Sequence, residues 1–120
     1  MTLLHVHAAW AWVVVVGNGL AGVWALTANW VPALRVRALW WLVIAVELAI
    51  SVQVTLGATM VAVQGVQAPP IHIFYGFVAL MTVAILYAYR AQLASYRYLL
   101  YGFGGLFLMG LGIRAMVLAR

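Results

Sequence analysis

The chain has 120 residues, of which 69% are hydrophobic and 6% charged, and its mean hydropathy of +1.16 leaves too little polar side chain to clothe a soluble core. Six Lys+Arg against one acidic residue give a net charge of +5, but the arginines stand singly among apolar segments, which reads as a topology signal and not as a nucleic-acid surface. With no cysteine, disulfides and thiolate metal sites are excluded.

The N-terminus lacks a basic n-region, so Leu3 onward reads as a retained first span and not as a cleaved signal peptide. Four apolar stretches, at residues 4–28, 38–63, 71–90 and 98–118, are long enough to cross a hydrocarbon core that about 20 helical residues span. Helices are expected because lipid offers no partner to the backbone of an open strand. The expected fold is therefore all-α: a polytopic membrane protein with four transmembrane helices in an up-down antiparallel bundle, one transmembrane domain over residues 1–120.

The first span carries Gly17, Gly19 and Gly22, and the fourth carries Gly102, Gly104, Gly105, Gly110 and Gly112, small residues that permit close backbone approach between membrane helices. Gly17-Asn-Gly-Leu-Ala-Gly22 also spells G-x-G-x-x-G, but a nucleotide-binding loop needs a strand before it, so helix packing is the expected role. The first connection contains Pro32, Arg35 and Arg37, and the third contains Arg90 and Arg97; both lie on one side, which the positive-inside rule makes cytoplasmic. The uncharged second connection, Gln64 to Pro70, and both termini then face outward across the cytoplasmic membrane, with Arg114 and Arg120 as the opposing signal. Trp10 and Trp12 mark an outer aromatic belt, and Trp24, Trp30, Trp40, Trp41 and the tyrosines from Tyr87 to Tyr101 an inner one.

Asn18 and Glu47 fall at similar depth on the first and second spans, where neighbouring antiparallel helices would let them pair; an intramembrane carboxyl is costly and usually faces the bundle interior. Its alternatives are a proton-carrying or cation-binding role and contact with a partner subunit. Ser51, Thr55 and Thr59 continue from Glu47 at four-residue spacing, either as a narrow wet path or as hydroxyls bonded to their own helix.

His7 shares a face with Asn18 eleven residues on, close to three helical turns, so it looks inward if Asn18 does, whereas His5 is rotated away. His72 opens the third span just after Pro69-Pro70, at the same membrane face, with Gly76 and Ala79 leaving room below it. Two imidazoles from different helices at one depth are what axial ligation of haem b requires, with Arg114 near the same level as a propionate partner. A divalent copper or zinc site on His5, His7 and His72, or polar interfacial histidines with no ligand at all, are the competing readings. No aspartate exists and Glu47 lies too deep to orient these histidines, so nucleophilic catalysis finds no support.

His7, His72 with the following Ile73-Phe-Tyr-Gly76, and the four-span layout resemble the four-helix haem bundles of membrane b-type cytochromes and the half-repeats of haem A synthase. The resemblance implies haem ligation by His7 and His72, with Arg114 meeting a propionate, in a protein of electron transfer or haem handling. The alternatives are a non-catalytic accessory or assembly subunit of a larger membrane complex, and a small transporter, alone or as a homo-oligomer, that uses Glu47 as its proton- or cation-coupling group.

Overall fold

A computed structural model describes residues 2–119 and shows four long helices: α1 (Leu3–Ala28), α2 (Arg37–Ala62), α3 (Pro70–Tyr89) and α4 (Arg97–Leu118). All four are long and apolar enough to cross a membrane, and each begins within one residue of the boundary expected from the sequence. Arg120, one of the two arginines expected at the outer side, lies outside the described residues.

Local chemistry sets the helix ends. The Thr2 hydroxyl accepts from the His5 backbone N–H at 3.2 Å and so caps α1, satisfying one of the donors that a helix start leaves open. Short 3-10 turns over Pro32–Leu34 and Ala94–Tyr96 make the connections at the arginine-bearing end. At the other end Gly65 takes φ +67°, a conformation costly for a side chain with a Cβ, and the Val66 N–H turns back to Met60 O. Pro70 then occupies the first turn of α3, where its missing N–H leaves no hydrogen bond unmade.

The helices alternate in direction. Around the bundle the order is α2, α1, α4, α3, so α1 packs against α2 and α4, α3 packs against α4, and the α2–α3 seam closes with little contact. The α1–α4 seam is built on glycine: a Cβ added at Gly22 would stand 2.8 Å from the Leu106 nitrogen, and one at Gly105 would stand 2.8 Å from the Gly22 Cα. The G-x-G-x-x-G segment is thus continuous helix, and its last glycine serves backbone-to-backbone packing. Two apolar cores result. One surrounds Ala25, Ala28 and Leu39 at the arginine end, and the other surrounds Ile50, Leu86 and Leu108 further along.

Candidate functional site

The order of helices places α1 and α3 on a diagonal, and at the end opposite Arg35, Arg37, Arg90 and Arg97 that diagonal is bridged by two imidazoles. The His7 and His72 rings stand 6.1 Å apart, centroid to centroid, at an interplanar angle of 77°. All four helices contribute to their surroundings. Ala115 O of α4 lies 2.8 Å from His72 Nδ1; a carbonyl can only accept, so this nitrogen carries the proton and Nε2 is left with its lone pair. Gln53 of α2 donates its amide Nε2 to His7 O at 2.8 Å. Gly57, one turn further along α2, faces the His7 ring so closely that a Cβ there would lie 3.2 Å from Cε1. Below His72, Gly76 borders open space, with no atom within 4 Å of where its Cβ would be.

Among the described residues, the buried side-chain polar atoms without a hydrogen-bond partner are His7 Nδ1 and Gln53 Oε1, both in this cluster. Buried polar groups in folded proteins are almost always satisfied, and leaving one unmet costs about 1–3 kcal/mol, so such exceptions mark places where something other than packing is at stake.

The other histidine does not join. His5 is exposed, with its ring Nδ1 3.1 Å from the Thr2 hydroxyl, and it belongs to the cap of α1. The three-histidine copper or zinc site is therefore overturned: among the described residues no group of three His, Cys, Asp or Glu side chains is placed to hold a metal ion. Arg114 is exposed on α4, next in sequence to the carbonyl that meets His72, and makes no hydrogen bond among the described residues.

Comparisons with protein-family models, curated proteins and solved structures give no match.

The expected pairing of Asn18 with Glu47 does not form. Asn18 is 1% exposed and spends its amide on Val14 O of its own helix at 2.8 Å, while its backbone faces Gly105 of α4. At this level α2 meets α1 through Val46, against which a Cβ at Gly17 would press to 2.6 Å. Glu47, the next residue, is rotated about 100° around the helix from that contact. It is half-buried, and its carboxyl makes no hydrogen bond among the described residues. The Ser51, Thr55 and Thr59 hydroxyls donate to Glu47 O, Ser51 O and Thr55 O, so the stripe mends its own helix.

Gln53 is the site residue that the sequence reading passed over. Its signal was present: it lies four residues from both Ala49 and Gly57, one face of small residues with a single amide among them. The tryptophans also do more than mark a belt. Trp10 Nε1 donates to Ala49 O at 2.8 Å, pinning α1 to α2, and Trp24 Nε1 donates to Leu34 O at 3.0 Å, pinning α1 to the first connection.

Proposed function

We propose that the chain is a small integral membrane protein that binds haem b through His7 and His72, for electron transfer or haem handling. The supporting observation is the meeting of two imidazoles across the bundle diagonal with one Nδ1 already tied to a backbone carbonyl. Metal-ligating histidines characteristically donate their second ring nitrogen in this way, which fixes the tautomer and aims the free lone pair.

The residues present fit the group. His7 and His72, with ring centroids 6.1 Å apart, would hold the haem iron through imidazole nitrogens that carry lone pairs. Gly57 keeps the His7 ring free of a side chain behind it, and Gly76 leaves space beside the pair. Bound there, haem would supply a one-electron ferric–ferrous couple. The chain's own part is to fix the His72 ring through Ala115 O, to tie the His7 backbone to α2 through Gln53, and to surround the pair with apolar helix. Arg114, exposed at this end, offers a guanidinium to a haem carboxylate.

The orientation follows from charge. Arg35, Arg37, Arg90 and Arg97 share one end of the bundle and favour the cytoplasmic side, which puts both termini and the histidine pair outside, across the cytoplasmic membrane.

The test is the absorbance spectrum of the detergent-extracted protein, with haem added if none copurifies. A Soret band is expected for the wild type, and its loss for His7→Ala and for His72→Ala. A folded protein that takes up no haem would sink the reading and leave the accessory-subunit role in its place.

A further inference from the structure

The opposite end of the bundle carries an unbalanced charge. Arg35, in the first connection, and Arg97, at the start of α4, both approach a single ring: their guanidinium carbons lie 5.0 and 5.1 Å from the Tyr98 centroid. The two cations therefore stand within about 10 Å of each other, a separation at which ordinary salt only partly screens them. Arg97 also lies 5.9 Å from the Trp40 centroid. No carboxylate is close by in sequence, since the one acidic residue, Glu47, sits well inside α2, and neither α2 nor α4 has an acidic residue in its first turn.

The donors are not used up. Arg35 spends Nε on Ala28 O and one terminal nitrogen on Asn29 O, both at 2.7 Å, while its other terminal nitrogen makes no bond. Arg97 makes one side-chain hydrogen bond, a long one of 3.3 Å to the Tyr98 hydroxyl. Two forks with spare N–H groups, held by aromatic faces, are suited to the oxygens of a phosphate. An apolar groove of about 530 Å³ runs from Leu20 to Leu34, the residue before Arg35, with Val23, Trp24 and Leu42 among its walls.

We propose that this end binds an anionic phospholipid, its phosphate taken by the free N–H groups of Arg35 and Arg97 beside the Tyr98 ring and an acyl chain along the groove from Leu34 to Leu20. Charge selects the occupant, because the phosphate meets a paired positive site at a depth where aromatic residues mark the membrane–water boundary. The groove separates a lipid from a free phosphate, since only the lipid has a chain to lay in it. The proposal is independent of haem.

Native mass spectrometry of the full chain in mild detergent, offered equal phosphatidylglycerol and phosphatidylcholine, tests it. Retained phosphatidylglycerol should dominate. Arg97→Gln, which gives up only the long bond to Tyr98, should lower that preference about fivefold, the expected worth of one arginine at a lipid surface. Arg35→Gln should do the same, but it also frees the Ala28 and Asn29 carbonyls, so Arg97→Gln decides if the first variant fails to fold. Val23→Trp should fill the groove and lower retention of both lipids, and Arg114→Gln, at the other end, should leave the ratio of the two retained lipids unchanged. Equal retention of the two lipids, or an Arg97→Gln protein with undiminished preference, would overturn the proposal. So would displacement of phosphatidylglycerol by inorganic phosphate at equal concentration, which would reveal a site for the free anion.

Discussion

The α1–α4 and α2–α3 seams are made of similar apolar sequence and behave differently. Across the first, Gly22, Gly102 and Gly105 bring backbone against backbone, so that a Cβ at Gly102 would lie 2.9 Å from the Leu26 Cα. Across the second, little touches, and α3 buries only Leu86. Lipid tails are as apolar as leucine, so exposed apolar side chains give membrane helices no reason to associate; close approach of backbones does. The tight seam therefore holds the bundle, while the loose one, with Gly57 of α2 and His72 of α3 near its end, adds little to that hold.

The largest test of this contrast is a branched side chain in the tight seam. Gly105→Val should cost more than about 4 kcal/mol, because its contacts are Gly22 Cα and Asn18 O and backbone cannot step aside. Unfolding in a graded detergent mixture measures it, and a variant that unfolds with the wild type would break the comparison. Next comes Asn18→Ala, which deletes a buried amide and its bond to Val14 O and should cost about 1–3 kcal/mol in the same assay.

Gly76→Leu, beside the loose seam, should leave the unfolding midpoint close to that of the wild type while lowering haem uptake, since nothing lies within 4 Å of a Cβ at that position. Glu47→Gln should shift stability by no more than about 0.5 kcal/mol, as expected for a side chain with no partner to lose. A large loss there would mean that Glu47 is paired across an interface with another chain. The last effect has the opposite sign. Gly110→Ala, where a Cβ meets open space, should stabilise α4 by up to about 1 kcal/mol through helix propensity alone. One residue type would then give opposite outcomes at positions five residues apart on the same helix.

Much of this arrangement was legible in residue order. The runs of apolar residues predict four helices, the glycines predict which pair packs closest, and Pro69-Pro70 predicts that His72 opens a helix at the level of His7. The sequence did not foretell that Asn18 would turn to Val14 O, that Glu47 would stand apart from it, or that Gln53 and Ala115 would be the neighbours of the two imidazoles.

Chain order thus decided length, direction and depth, because these follow from how many apolar residues separate one turn from the next. Rotation about each helix axis was decided only on assembly. A helix that is apolar nearly all round carries no polar side to announce which face turns inward. The choice fell to contacts such as Gly17 against Val46, where one methyl group fits and a carboxyl one position further on is left turned away.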